Sequence, residues 1–149
     1  DRDRHVNLIA QIRKAGARVR LITDGDVAGA LATCTPRSGI DVLMGIGGST
    51  EAVLAAVAIK ILGGEILCRF RPKDEHHAQL VKKHGLTTTK IYSSEDLAKG
   101  KNLEFTATGV IDGPLLTGVR ATDGILVTHS LVIRGQTETM RYITTHHHQ

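Results

Sequence analysis

The chain has 149 residues, of which 41% are hydrophobic and 23% are charged, a composition typical of a folded domain rather than of a disordered segment. The net charge of +4 includes no block of like charge, and aromatic residues make up only 3%, which argues against nucleic acid as a partner. No signal peptide or membrane-spanning stretch is evident, and Cys34 and Cys68 lie far apart in apolar segments. We therefore expect a cytoplasmic protein with reduced thiols and no membrane partner.

The first half of the chain alternates between helical patterns and short apolar segments. Apolar residues at helical spacing, such as Leu8, Ile9 and Ile12, and the glycines that stop each pattern set the boundaries. In chain order, we expect a helix over 4–15, a strand over 18–23, a helix over 27–33, a strand over 40–46, a helix over 51–62, a strand over 65–70 and a helix over 74–83. Asp26 is expected to cap the second of these helices.

The remainder of the chain has a pattern of short strands separated by turns. These strands are expected over 90–92, 103–109, 125–128, 130–134 and 139–143, with a helical turn over 95–98. The alternation of helices and strands before residue 84 implies right-handed crossovers and a parallel sheet, which the later strands extend, some of them antiparallel. The predicted fold class is therefore α/β, with a largely parallel or mixed β-sheet covered by helices, and residues 1–149 are expected to form a single domain.

Two polar loops follow predicted strands, where ligands bind in open α/β sheets. The first loop is Asp24-Gly25-Asp26, and the second is Gly47-Gly48-Ser49-Thr50-Glu51. Glycine allows a backbone to approach a ligand closely, and the start of a helix offers unpaired N–H groups to an anion. Each loop therefore either binds a phosphate or sugar or serves only as a turn between two elements.

The charged residues near these loops each have a structural and a functional interpretation. Asp24 and Asp26 are either a turn acid and a helix cap or acceptors for sugar hydroxyls or a hard cation. Glu51 is either an acid favoured by the helix dipole or a metal ligand. Arg2 and Arg4 are either solvated or a phosphate clamp. Five histidines lack the spacing of a zinc site and are interpreted as surface or structural residues: His5, His76, His77, His84 and His129.

A series of short motifs runs through nearly the whole chain. In order, these are residues 1–5 (DRDRH), 15–22 (AGARVRLI), 24–27 (DGDV), 45–51 (GIGGSTE), 54–56 (LAA), 107–110 (ATGV), 112–113 (DG), 118–120 (GVR) and 130–134 (SLVIR). The series resembles the class II fructose-1,6-bisphosphatase family, within the lithium-sensitive sugar-phosphatase superfamily. The resemblance implies the C-terminal half of a fold that has two α/β layers and an active site between its N-terminal and C-terminal parts.

The resemblance also implies roles for individual residues. Arg2 and Arg4 match a basic pair that binds the phosphate of the sugar, although Arg2 replaces a frequent Lys and Asp3 a common Pro. The first polar loop matches a segment that contacts the sugar, and Gly48 matches a backbone contact to the substrate. The substrate-binding residues so implied are Arg2, Asp3, Arg4, Asp24, Gly25, Asp26 and Gly48.

Glu51 matches a carboxylate that binds a catalytic metal, which in the family is Mn²⁺ or Mg²⁺. Ser49-Thr50 and Ala52 depart from the usual Ala-Pro and Gly around this glutamate, but the ligand itself is unchanged. No residue in this half of the fold is assigned a catalytic role. Most of the family's metal carboxylates belong to an N-terminal portion that has no counterpart here.

The reaction implied is hydrolysis of the 1-phosphate of fructose 1,6-bisphosphate, which gives fructose 6-phosphate and phosphate in gluconeogenesis. Some relatives also accept sedoheptulose 1,7-bisphosphate. Because the metal carboxylates are incomplete, we expect this chain alone to be inactive and to act as part of a complete, homo-oligomeric enzyme. The alternative is a non-catalytic sugar-phosphate-binding module.

Overall fold

The structure, a computed structural model, describes residues 2–148. A 3₁₀ turn, Asp3–His5, precedes the first helix. The α-helices are α1 (Val6–Lys14), α2 (Asp26–Thr33), α3 (Ser49–Ile61), α4 (Glu75–Lys83) and α5 (Ser94–Leu97). The strands are β1 (Leu67–Cys68), β2 (Tyr92–Ser93), β3 (Glu104–Thr108), β4 (Arg120–Thr122), β5 (Ile125–Arg134) and β6 (Thr139–His148). In this part of the chain, no helix has the length and apolar character needed to cross a membrane.

The helices form where the apolar spacing predicted them, and local signals define their ends. Gly16, with φ of 85°, ends α1, and its N–H donates to Arg13 O at 2.9 Å. Asp74 caps α4, because its Oδ1 accepts the N–H of His77 at 2.9 Å. This bond to the His77 N–H lowers the pKa of the Asp74 carboxyl. Helix boundaries in this protein therefore follow from residues within one turn of each end.

A four-stranded antiparallel sheet is built around β5. β6 pairs with β5 along its whole length, from Ile125 opposite His148 to Arg134 opposite Thr139. On the other edge of β5, β3 pairs with its second half and β4 with its start. A tight turn joins β5 to β6, and Glu138 N donates to Gly135 O across it at 3.3 Å. A short turn of this kind is sufficient because neighbouring strands run in opposite directions.

The main core lies between this sheet and α3. Leu131 and Ile133, alternate residues of β5, are 0% and 1% exposed and therefore face the same side of the sheet. They pack with Phe105 of β3, Ala58 of α3 and Leu31 of α2. A second buried cluster joins α2 to α3 and contains Ala30, Ala55 and Ile59. The small alanines allow α3 to pack closely against its neighbours, so its position is set by both clusters.

The α/β class is confirmed, but the parallel arrangement is not: every strand pairing among residues 2–148 is antiparallel. The segments 18–23 and 40–46 form no strand, and the strand expected over 65–70 is reduced to β1, which pairs with β2. A strand persists only where a neighbouring strand completes its backbone hydrogen bonds. Among the described residues, the first strand pairing begins at Leu67. In the segment 40–46, which forms no strand, the side chains of Val42 and Met44 are 66% and 57% exposed.

The later strands occur close to their predicted positions. The segments 125–128 and 130–134 are one continuous strand, since His129 pairs with Thr144 without a break in the register. β6 extends five residues beyond the expected end at 143, to His148. β4 was not predicted from the sequence; it is three residues long and exposed throughout.

A loop braced by glycines connects β3 to β4. Gly118 lies so close to the backbone that a Cβ there would be 2.7 Å from the carbonyl carbon of Ile111. Asp112 Oδ1 accepts hydrogen bonds from Gly118 N at 2.9 Å and from Arg120 Nη2 at 2.7 Å. The Arg120 guanidinium, and then the Gly118 N–H, lower the pKa of the Asp112 carboxyl. The loop is thus held in one shape while Val110 and Ile111 remain 76% and 80% exposed.

Replacing a buried core leucine should have a much larger effect than replacing an exposed one on the same strand. Leu131→Ala should lower the free energy of unfolding by about 2–5 kcal/mol, because it leaves a cavity. Leu126→Ala, with a side chain that is 37% exposed, is the matched control and should lower it by about 1 kcal/mol. Urea unfolding measures both values, and equal losses would contradict the assignment of the core face of β5.

The ion pair between Asp112 and Arg120 should stabilise the loop in a pH-dependent way. Because the folded pKa of Asp112 is lower than the ordinary value of 3.8, the stabilisation is complete above that value and is lost as the pH falls through the lower folded pKa. Arg120→Gln should raise the pKa of Asp112, as measured by a carboxyl ¹³C NMR titration. Arg134→Gln, whose partner Glu104 is 3.9 Å away, should leave it unchanged. A pKa of Asp112 that stays the same without Arg120 would contradict this contact.

Candidate functional site

Three segments that are distant in the sequence meet at one surface, which we call the loop surface: residues 2–5, 23–26 and 46–51. Arg2 Nη2 donates to the backbone O of Thr23 at 2.9 Å. Arg4 Nε donates to the backbone O of Ile46, also at 2.9 Å. The fold therefore brings the basic N-terminal turn to both of the polar loops that the sequence analysis singled out.

Arg2 and Asp24 form the outer edge of the loop surface. Arg2 Nη2 lies 3.6 Å from Asp24 Oδ1, and the two side chains are 50% and 93% exposed. Water screens an ion pair this exposed, so the pair contributes little to stability. Both side chains are accessible to a ligand.

Arg4 and His5 together bond both backbone groups of Ile46. While Arg4 Nε donates to the carbonyl, the N–H of Ile46 donates to His5 Nε2 at 2.8 Å. Among the described residues, no hydrogen bond occupies the two Nη groups of Arg4, and this residue is exposed. The guanidinium is therefore fixed at one nitrogen and presents the other two to solvent.

Two neighbouring glycines make room for two carboxylates. A Cβ added to Gly47 would be only 2.5 Å from Oδ2 of Asp26. Glu51 Oε2 lies so close to Gly48 that a Cβ there would overlap it. Both acids are exposed. A larger residue at either glycine would displace the carboxylate beside it.

Two helices begin at the loop surface, and both lack a side-chain cap. α2 follows Gly25, whose φ of 82° and ψ of 45° place it in the left-handed region that glycine adopts without strain. α3 follows Gly48. The prediction that Asp26 caps α2 is wrong, because Asp26 is the first residue of the helix and Gly25 occupies the cap position. Uncapped first turns keep backbone N–H groups and the positive end of the helix dipole available to an anion.

The predicted substrate-binding residues thus lie in the segments that form one surface. Asp3 is exposed in the 3₁₀ turn, and its backbone O accepts the N–H of Val6. Asp24, Gly25 and Asp26 surround the start of α2. The roles of these residues toward a ligand stay predictions.

The carboxylates of the loop surface do not complete a metal site by themselves. Within residues 2–148, no three His, Cys, Asp or Glu side chains lie close enough together to hold one ion. Mg²⁺ takes about six oxygen ligands. Glu51, which is exposed at the start of α3, fits one ligand of such a site, and the described residues supply no complete set.

A cavity beside the loop surface was not predicted from the sequence. It has a volume of about 340 Å³ and lies between the start of α2 and the loop that follows β3. Its mostly apolar lining includes Gly25, Val27, Phe105, Ile111 and Leu116. Because the lining residues come from segments that are far apart in the chain, no local pattern indicates the cavity.

His5 makes a contact that the sequence does not reveal. The sequence indicates a surface or structural histidine, and the structure places it in the same turn as Arg4, half-buried against the second polar loop. Its position beside two arginines was an available signal. Its partner, Ile46, is 41 residues away, so the contact itself has no local sequence signature.

The sequence of this chain matches one protein family and several curated relatives. The family model described as "Bacterial fructose-1,6-bisphosphatase, glpX-encoded" matches residues 1–147. A D-fructose 1,6-bisphosphatase class 2/sedoheptulose 1,7-bisphosphatase of Synechococcus sp. (strain JA-3-3Ab) is 42% identical over an alignment 160 positions long, which covers 99% of this chain and 46% of the relative. A fructose-1,6-bisphosphatase class 2 of Haemophilus influenzae is 37% identical over 158 aligned residues, with 97% and 47% covered.

This chain spans about half the length of those curated relatives. The family model nevertheless covers nearly all of this chain. The sequence identities of 42% and 37% are well above the level at which two proteins share only a fold. The match includes all three segments of the loop surface. The chain therefore belongs to the bacterial, class II fructose-1,6-bisphosphatase family.

Proposed function

We propose that the loop surface binds the sugar and a phosphate of fructose 1,6-bisphosphate within a larger enzyme that hydrolyses the 1-phosphate, giving fructose 6-phosphate and phosphate in gluconeogenesis. The observation that carries this proposal is the convergence of two arginines, two uncapped helix starts and four carboxylates on one exposed surface. The printed name of the Synechococcus relative makes sedoheptulose 1,7-bisphosphate a second candidate substrate.

Phosphate recognition is assigned to Arg2, Arg4 and the first turns of α2 and α3. Arginine presents a planar fork of donors that matches phosphate oxygens. The anchoring of Arg4 at Nε leaves both Nη groups for this purpose. The N–H groups that follow Gly25 and Gly48 would add to the attraction, since neither helix start is capped by a side chain.

Sugar recognition is assigned to Asp24 and Asp26. Carboxylate oxygens accept hydrogen bonds from hydroxyl groups, and both acids are exposed on the surface that the arginines share. The Asp26 carboxylate lies close to Gly47, which places one acceptor beside the second loop. Gly48 is assigned a backbone contact, which the absence of a side chain permits.

Glu51 is proposed as one ligand of a catalytic Mn²⁺ or Mg²⁺. In phosphate-ester hydrolysis, such an ion activates water and neutralises developing negative charge. The remaining ligands would have to come from the part of the protein that this chain does not include. We therefore propose that the chain alone binds substrate weakly and does not turn it over, and that the complete protein is a cytoplasmic homo-oligomer.

A non-catalytic sugar-phosphate-binding module is the second candidate function. The observation that favours it is the absence of a three-ligand metal site from residues 2–148. A binding module would need the arginines and the glycine loops, but it would need neither the metal nor the part of the relatives that this chain does not span. The two candidates differ in whether the protein at the full length of its relatives, which we call the extended protein, releases phosphate.

Phosphate release from fructose 1,6-bisphosphate with Mn²⁺ should be detectable for the extended protein and undetectable for this chain. In the extended protein, Glu51→Gln should lower kcat at least roughly 100-fold, a larger loss than is typical of residues that only support a metal ligand. Glu75→Gln is the matched control, because Glu75 also lies in the first turn of a helix and is exposed. It should keep near-normal turnover.

Three results would count against parts of this account. Turnover by this chain would show that its residues suffice for catalysis and would contradict the proposal that the metal site is completed outside it. Equal losses of kcat in Glu51→Gln and Glu75→Gln would indicate that any acid at the start of a helix has this effect, and that Glu51 does not act as a metal ligand. An extended protein that binds the sugar bisphosphate without releasing phosphate would favour the binding module.

Adding a methyl group at Gly48 should displace the carboxylate of Glu51 without unfolding the protein. The backbone of Gly48 has φ of −72° and ψ of 150°, which alanine adopts easily. The added Cβ would overlap the flexible end of Glu51, so the side chain would move. Turnover of the extended protein should fall roughly 10- to 100-fold, while the melting temperature of this chain stays nearly constant.

Gly113→Ala is the control for this prediction, since a Cβ there would meet nothing closer than 3.9 Å. It should change neither turnover nor the melting temperature. Normal turnover in Gly48→Ala would contradict the assignment of the observed Glu51 position to the functional site.

A further inference from the structure

Consecutive side chains of the 3₁₀ turn bond both backbone polar groups of a single residue. Arg4 Nε donates to Ile46 O at 2.9 Å, and Ile46 N donates to His5 Nε2 at 2.8 Å. The carbonyl belongs to the peptide unit shared with Gly47, and the N–H to the unit shared with Gly45. Because each peptide unit is planar, the two bonds fix the orientation of two successive planes.

The hydrogen bond to Ile46 requires an acceptor atom on His5. A backbone N–H can only donate, so Nε2 must carry a lone pair, and the proton of the neutral imidazole lies on Nδ1. The guanidinium of Arg4 can only donate and therefore bonds the carbonyl. The two side chains are complementary, since one supplies the donor and the other the acceptor.

The segment that they hold is rich in glycine. Ile46 is flanked by Gly45 on one side and by Gly47 and Gly48 on the other, and glycine has more backbone freedom than any other residue. A Cβ on Gly45 would lie 3.4 Å from the His5 ring, so the ring also packs against this backbone. Without the bonds to Ile46, few contacts would restrain the loop of Gly47 and Gly48, against which the carboxylates of Asp26 and Glu51 lie.

We propose that His5 is a positioning residue of the loop surface. By accepting the N–H of Ile46, it holds Gly47 and Gly48 where the carboxylates of Asp26 and Glu51 can lie against them. The importance of those carboxylates rests on the proposed function, whereas the hold on the loop is a property of this chain alone. His5 acts through Ile46 rather than by touching a substrate.

Two conservative variants separate hydrogen bonding from packing. The amide oxygen of Gln reaches about as far as Nε2 and accepts a hydrogen bond, whereas Asn is shorter. In this chain, His5→Asn should speed hydrogen exchange at the Ile46 amide by roughly 5- to 100-fold, because a donor loses its acceptor. His5→Gln should keep exchange near the wild-type rate. His84→Asn, an exposed residue at the end of α4, is the control and should change nothing.

¹⁵N relaxation of the same variants measures whether the glycine loop is held. The backbone order parameters S² of Gly47 and Gly48 should be about 0.85 in the wild type and in His5→Gln. They should fall below about 0.6 in His5→Asn. Those of Gly118, in the loop after β3, should not change. In the extended protein, kcat/KM should fall roughly 10-fold or more in His5→Asn and recover in His5→Gln.

Unchanged exchange at Ile46 in His5→Asn would overturn the proposal, as would equal losses in the Gln and Asn variants. If His5→Asn does not fold, the proposal requires that His5→Gln keep slow exchange at Ile46, and fast exchange there would refute it. The exchange and relaxation measurements need no turnover. An inactive extended protein would therefore count against the proposed function, while these two measurements still decide the role of His5.

Discussion

The packing of α3 against β3 and β5 is the constraint on which the rest of the structure depends. Leu131, Ile133 and Ala58 are almost completely buried at this contact, and burial of this kind is the main favourable term in folding. At the far end of the helix, Lys60 Nζ bonds Glu95 and the backbone O of Ala98, both at 2.8 Å. A helix fixed along its length and at its C-terminal end must present its N-terminal end at a defined place, and that end belongs to the loop surface.

Charges of both signs share the loop surface. Arg4 is anchored through one nitrogen to a backbone carbonyl, while Asp26 and Glu51 lie against glycines. This arrangement suits a ligand that has both anionic phosphate and hydroxyl groups, because donors and acceptors are presented side by side.

The sequence predicted the helices far better than it predicted the sheet. The helix over 4–15 and its stop at Gly16 depend on residues within one turn, so local spacing was sufficient. The segments 18–23 and 40–46 have strand-like composition, but strand formation depends on partners elsewhere in the chain, which local patterns do not reveal. For the same reason, the contact of Ile46 with His5 has no signature in the sequence, although Arg4 and the glycine loop were both candidates from their own residue types and positions.

The central claim is that three separate segments form one sugar-phosphate surface. Titration of fructose 1,6-bisphosphate into the ¹⁵N-labelled chain, followed by amide chemical shifts, tests it most directly. The account predicts that the shifts of residues 2–5, 23–26 and 46–51 change together with a single dissociation constant, while the surface of β6 is unaffected. Changes in only one of the three segments, or changes centred elsewhere on the molecule, would contradict it.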